Sequence, residues 1–316
     1  MIPALAITAL LLGQRANLYE PVKARDQLEI PMTRYLTRDR FGRTISFYIT
    51  NTADPSPRPV LLFVQDRGAA SVVRKPDHLE PVSGEVVKTF GDVFRVVIVE
   101  KPGVILYDDP IAEQAAGSEW FRREHTLERW TECLAAVLKA SSGIAGVKSG
   151  AATAVGLGEG ALAAASLAAT TPDIRQVVVV GAGAGGKLQD LMASAMRGEF
   201  GEERGTSDAM LQKMLIQWDA MRTHPDETRR AFAGQSYHQW AEFGIPNLSE
   251  SLLALKQPVI IVSGDEDVEV SKAGIETLFT MLRARRGDVR WIVAEMAPHS
   301  LLGKWSVVKS ALANQR

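Results

Sequence analysis

The sequence predicts an α/β domain with a mostly parallel central sheet flanked by helices, and three observations carry that expectation. Short apolar runs of the buried-strand kind recur along the chain. Helical periodicities fall between them, and a glycine-flanked turn joins one run directly to a helix. The runs are VLLFV (60–64), FRVVIVE (94–100), ATAVGL (152–157), QVVVVG (176–181), PVIIVSG (258–264) and VRWIVA (289–294). The helical segments are 126–140, where Leu127, Trp130, Leu134 and Leu138 share a stripe, the alanine-rich 159–170, and the periodic 272–286 and 300–313. Residues 27–36 and 44–50 read as a hairpin turned at Arg40-Phe41-Gly42-Arg43, followed by the loop TADPSPRP.

With 316 residues, 46% hydrophobic and 23% charged, the chain can bury one large core. We expect one domain over 17–316, with a helical lid insertion over 187–250. That insertion holds Met192, Met196, Met210, Met214 and Met221 with Trp218 and Trp240. A flexible methionine-rich segment could cover a site, although the plainer reading of each methionine is a core-facing stripe. Residues 1–16 open on MIPALAITALLLG, uncharged and too short to span a bilayer but suited to the apolar centre of a secretory signal. No positive charge precedes it and Gln14-Arg15-Ala16 is a poor cleavage site. An exported protein with a signal peptide and a cytoplasmic one with an N-terminal helix therefore both stay open. No other segment suits a membrane span.

A net charge of −1 with scattered Lys and Arg leaves no electrostatic footprint for nucleic acid. The single cysteine, Cys133, excludes an internal disulfide and falls on the apolar side of 126–140, where an inert core thiol is expected. No Cys/His cluster has metal-ligand spacing, so no metal is expected. Nothing in the sequence fixes an oligomeric state.

The stretch VGLGEGALAAA (155–165) admits two chemistries. Gly156, Gly158 and Ala161 fit a dinucleotide fingerprint, as do Gly181, Gly183 and Gly186. That mechanism also needs an acid at the end of the next strand to hold the ribose. After Gly158 the next strand ends at Val180-Gly181 without one, and after Gly183 the chain enters the insertion. Neither loop has the Lys-Ser/Thr ending of a triphosphate cradle, so a dinucleotide oxidoreductase ranks last and no cofactor is expected. The other reading is a sharp strand-to-helix elbow that lifts its central residue above the sheet, with small residues two positions either side. Gly156 and Gly160 are those flanks, and the centre is Gly158. An acid and then a histidine should follow beyond later strands. Asp267 follows PVIIVSG and His299 follows VRWIVAEM, each in that place.

The order of elements, the elbow, SGDED and APHSLL together resemble the α/β-hydrolase fold over roughly residues 27–313. RPVLLFVQDRGAASV, VVIVEKPGV, FRREHTLERW, AVGLGEGALAAA and YHQWAEF resemble a bacterial group of serine hydrolases of that fold, which shows Q-G-S-G after its third strand and G-H-S-E-G-G at its elbow. The resemblance implies a serine at 158, an acid at 267 and a base at 299. This chain keeps Asp267 and His299. Gly158 replaces the nucleophile, and Gln65-Asp66-Arg67-Gly68 replaces the loop that supplies one oxyanion-hole N–H. By the resemblance the donors are the backbone N–H groups of Arg67 and Glu159, while Asp66 puts a carboxylate near the developing oxyanion and weakens its stabilisation.

Without a side-chain oxygen at 158 no acyl-enzyme can form. The expected protein resembles an ester, thioester or peptide hydrolase that is impaired or inactive, and Gly158→Ser is expected to restore turnover. The alternatives are a non-catalytic protein that binds a small apolar ester-like ligand in the same pocket, and a serine-free enzyme in which His299, oriented by Asp267, activates water. Ser71, Ser263 and Ser300 have ordinary turn or cap roles. Glu124 and His125 read as a helix cap and a surface pair, Trp120 and Trp130 as core anchors, and His78, His224 and His238 as structural or exposed.

Overall fold

The computed structural model describes residues 19–51, 55–110, 116–185, 192 and 208–313. The readings of residues 1–16, Gly186 and Met196, and much of the proposed lid, lie outside the described residues. In chain order the strands begin with β1 (Val22–Lys23), β2 (Met32–Arg38), β3 (Thr44–Thr50), β4 (Arg58–Val64) and a small hairpin, β5 (Val73–Lys75) and β6 (His78–Leu79). Helix α1 (Pro81–Phe90), β7 (Arg95–Val99), α2 (Glu119–Glu124), α3 (Leu127–Ser141), β8 (Val147–Leu157), α4 (Glu159–Thr170) and β9 (Ile174–Val180) follow. Then come α5 (Asp208–Thr223), β10 (Ala231–Phe232), β11 (Gln235–Ser236), α6 (Tyr237–Gln239) running into a π-helical turn at Trp240–Gly244, and α7 (Leu248–Leu253). The chain closes with β12 (Val259–Gly264), α8 (Lys272–Arg285), β13 (Val289–Ala294) and α9 (Ser306–Ala313).

Nine strands form one sheet in the order β1-β2-β3-β7-β4-β8-β9-β12-β13. The pairs from β7 to β13 are all parallel, while β1, β2 and β3 pair antiparallel at one side. The apolar runs are hydrophobic at most positions because both faces of the sheet are covered. Leu62, Val64, Val97, Val99, Val177, Val179 and Ile261 pack with α3, α4, α7 and α8 on one face. Their neighbours Leu61, Phe63, Val96, Ile98, Val178, Val180 and Ile260 pack with α1 and α9 on the other.

Boundaries differ from the sequence reading where a local rule was overridden. The first hairpin strand starts at Met32, because residues before it leave the sheet and Glu29 donates its N–H to Pro76 O instead. Strand β8 begins at Val147, earlier than expected, beside a bulge between Arg58 and Val60. The last helix starts only at Ser306, because Leu301 (φ 53°) and Gly303 (φ 81°) wind residues before it into turns that no helix accommodates. The insertion, read as helical, also carries the β10–β11 ladder. Met214 and Met221 are buried against Tyr237 and Trp240, with Met192 and Trp218 packed on them, which is the plain reading of those methionines.

Two aromatic readings are corrected. Trp130 is fully buried but Trp120 is half exposed, stacked under the Arg123 guanidinium at 4.7 Å. His125 is not a surface residue: it is 1% exposed and stacked between Phe121 and Phe243, at 4.8 and 4.7 Å between ring centres, and among the described residues neither ring nitrogen has a hydrogen-bond partner. Burial, reinforced by the nearby Lys101 charge, holds its pKa well below 6.5, so it is a neutral core ring. The cap of α3 is Thr126, not Glu124, which pairs with Arg129. Cys133 lies in the core as expected, and burial pushes its thiol up to about 12.

Trp305 fastens the segment after β13 to the sheet. It is fully buried, meets Phe63 edge-on at 5.5 Å and Phe90 at 6.4 Å, and donates its indole N–H to Ser300 O at 3.1 Å. Trp305→Ala is expected to cost about 3–5 kcal/mol in urea unfolding. A cost below about 1 kcal/mol, the range of an ordinary surface change, would show that this contact is not an anchor.

Candidate active site

The parallel strands β4, β8, β12 and β13 end on the same side of the sheet, and the loops that follow them meet there. Gly158, between β8 and α4, has φ 54° and ψ −115°, a conformation that side chains rarely adopt. A Cβ on Gly156 would collide with the backbone of Gly160 and Ala161, and one on Gly160 with the carbonyls of Val64 and Gln65. The glycine spacing therefore makes a sharp elbow whose helix runs back across the strand ends. Val64 is in register with Gly156 on the neighbouring strand, so the loop after β4 starts beside the elbow.

That proximity decides the site. A Cβ built on Gly158 would fall inside the Asp66 carboxylate, with even the farther oxygen, Oδ2, at 2.9 Å. Asp66 Oδ1 accepts the backbone N–H of Glu159 at 2.9 Å. Its Oδ2 faces His299 Nε2 at 3.3 Å, a separation and direction better described as an ion pair than as a short hydrogen bond. On the far side of the ring, His299 Nδ1 donates to Asp267 Oδ2 at 2.9 Å. Asp267 is held in turn by the N–H groups of Glu269 (2.8 Å) and Val270 (3.0 Å), which both donate to Oδ1. The ring packs on Gly181, where a Cβ would meet Cε1 at 2.8 Å. A glycine that fits a phosphate fingerprint in the sequence is required here by the imidazole. Burial opposes charge on His299, but the hydrogen bond to Asp267 and the negative charges of Asp66 and Asp267 outweigh it and raise its pKa to about 10.

The structure thus gathers Gly158, Glu159, Asp267 and His299 around one point, with Asp66 between elbow and imidazole. The side chain of Arg67 turns to Glu269, at 2.9 Å. Ser71 donates to Glu100 and Ser263 accepts from the Trp291 indole, so both serines are engaged away from the elbow, and Ser300 lines the cavity.

Three participants carried no clear sequence signal. Lys101, buried at the end of β7, donates through Nζ to the carbonyls of Asp66 and of Gly68 (2.8 Å), wrapping the loop round an ammonium that also lies over the Trp130 ring. Burial lowers its pKa against the pull of Glu159, Asp66, Glu80 and Glu100. Gln235, from β11, donates to the buried Glu159 carboxylate. Glu100 accepts from Tyr48 and Ser71 behind the loop, and burial raises its pKa.

A cavity of about 230 Å³ reaches Asp66, Arg67, Lys101, Glu269 and His299. A second pocket of only about 40 Å³ borders Gly158 and Glu159 and is lined by Leu162, Phe243, Pro246, Leu248 and Val270. Among the described residues, Asp66, Glu269 and His299 bring one potential metal-ligand atom each within 4.8 Å of one another. A divalent ion there would have to displace both a tightly held imidazole proton and the Arg67 contact. Also among the described residues, no helix is long and apolar enough to cross a membrane.

The same architecture recurs in solved structures. An E-2-(acetamidomethylene)succinate hydrolase superposes with a TM-score of 0.53 at 18% identity, over 89% of this chain and 98% of its own. An α/β-hydrolase, GrgF from Penicillium sp. sh18, superposes with a TM-score of 0.56 at 12% identity, over 90% and 96%. The fold is the α/β-hydrolase fold. A cold-adapted esterase from an Arctic intertidal metagenomic library shares it at a TM-score of 0.51 and 15% identity, over 92% of this chain and 95% of the esterase. At these identities the likeness is one of fold. No family model and no curated protein matches the chain.

Proposed function

We propose that this α/β-hydrolase-fold protein has a closed serine acyl-transfer route: it is related in architecture to ester hydrolases but does not turn over simple carboxylic esters. One observation carries the reading, the Asp66 carboxylate standing where a side chain at 158 would have to be. It removes three requirements together. There is no hydroxyl to attack, the Glu159 N–H that would serve a substrate oxyanion is already bonded to Asp66, and His299 is a cation at neutral pH that cannot act as a base. The last point also disfavours water activation by the resting His299–Asp267 pair.

The expectation that Gly158→Ser alone restores turnover is revised for the same reason. The cavity of about 230 Å³ that reaches Asp66 and His299 offers the room for a small ester-like ligand, and the activities of the structural neighbours, a hydrolase and an esterase, are in keeping with that class. The test is p-nitrophenyl butyrate with the unmodified chain. No burst and no turnover above buffer are expected, and turnover abolished by His299→Ala would sink the reading.

A further inference from the structure

We propose that Asp66, Glu269 and His299 form a site for one divalent transition ion of the zinc type, held by Asp66 Oδ2, a carboxylate oxygen of Glu269 and His299 Nε2, with the fourth position open to water. The inference rests on the placement of Asp66 in the reading above and goes beyond it. The three residues follow three different strands, β4, β12 and β13, so no ligand spacing marks them in the sequence.

Two orphaned atoms point to a ligand. His299 is 7% exposed and lines the cavity of about 230 Å³, yet its Nε2 has no hydrogen-bond partner among the described residues. Its neighbour there is Asp66 Oδ2, at 3.3 Å. Zinc bound tetrahedrally by nitrogen and oxygen at about 2.0–2.2 Å spaces its ligand atoms about 3.3–3.5 Å apart, so one edge of the tetrahedron already exists. Gln65 lines the same cavity, and its buried Oε1 likewise has no partner among the described residues. That oxygen is an acceptor for a metal-bound water.

The groups behind the ligands are those a metal centre needs. A ligating imidazole has its other nitrogen held by an acceptor, and His299 Nδ1 donates to Asp267, itself fixed by the N–H groups of Glu269 and Val270. A ligating carboxylate is oriented in the same way, and Asp66 Oδ1 accepts the Glu159 N–H. Glu269 serves twice: its backbone orients Asp267, and its carboxylate lies within 4.8 Å of the other two ligand atoms. To close on the ion it turns from Arg67, and that pair, with side chains 31% and 37% exposed, is a weak one. At Nε2 the ion takes the place of the proton, which leaves to solvent. One imidazole with two carboxylates suits zinc, nickel or cobalt, whereas magnesium and calcium take oxygen ligands.

The test is calorimetric titration of zinc into the full, metal-free chain, with the visible spectrum of cobalt(II) reporting the geometry. One ion per chain and the intense absorption of tetrahedral cobalt are expected. Asp66→Asn, Glu269→Gln and His299→Gln should each remove that absorption and weaken zinc binding by about 10²-fold or more, and Asp267→Asn, which touches no ion, by about 10–100-fold. His78→Gln, which alters the exposed Asp77–His78 pair, should leave zinc binding unchanged. No saturable binding at submillimolar zinc, or stoichiometry and spectrum kept in any of the three ligand variants, overturns the proposal. Turnover of p-nitrophenyl butyrate by the unmodified chain with a chelator present counts against the closed serine route instead, so the two failures are told apart.

Discussion

Gly158→Ser alone leaves the protein without ester hydrolysis, whereas Asp66→Gly combined with Gly158→Ser gives measurable turnover of p-nitrophenyl butyrate. In the single variant the new Cβ meets the Asp66 carboxylate, which must rotate away, and the backbone at φ 54° adds strain of about 1–3 kcal/mol. Wherever the carboxylate then settles near the elbow, it competes with the introduced hydroxyl for His299 and with the substrate for the Glu159 N–H. Removing Asp66 changes all three conditions together. It opens the space, frees the oxyanion donor and takes away one of the two anions that keep His299 charged. Because triad members act as a unit, the gain of the double variant over the single one should be on the order of 10³-fold in kcat/KM. Labelling by a fluorophosphonate reports on the introduced hydroxyl without reference to substrate choice and should follow the same order. Equal activity in the two variants would show that Asp66 does not block the site.

Much of this site is legible in the sequence because its parts obey local rules. The strands announce themselves as runs of Val, Ile and Leu buried on both faces. Gly156 and Gly160 are dictated by the elbow's own backbone, and Asp267 and His299 each follow a recognisable strand. What is not legible depends on register between distant segments. That Asp66 carries a carboxylate beside the elbow follows from a glycine-permissive loop position. That the carboxylate fills the place of a side chain at 158 follows only from Val64 lying opposite Gly156. His125 sits among Arg, Glu and Thr and reads as a surface residue until Phe243 is folded over it from the insertion. Lys101 has the same history: its partners are carbonyls of a loop on the next strand, and a backbone acceptor leaves no mark in sequence.

The His299 imidazolium should remain protonated well above neutrality and make stability fall as the solution turns alkaline. Its pKa is about 10 in the folded protein against 6.5 for an unperturbed ring. A raised folded-state value means that the native state binds the proton more tightly than the unfolded chain. The stabilisation is therefore fully present below about pH 6.5 and is lost as pH climbs from there through about 10. At its limit it amounts to roughly 3–5 kcal/mol. Other groups change over the same span, Lys101 among them with its lowered pKa, so the informative quantity is the difference in urea stability between the unmodified chain and His299→Gln. That difference should shrink between pH 6 and pH 10. Asp66→Asn keeps the shape of the side chain and removes its charge. By NMR of the ring Cε1–H, it should bring the titration of His299 down by at least about one unit, because Asp267 alone then opposes desolvation. A ring that titrates near 6.5 in the unmodified chain would mean that Asp66 does not face it as a carboxylate. That result would remove the ionic basis of the closed site.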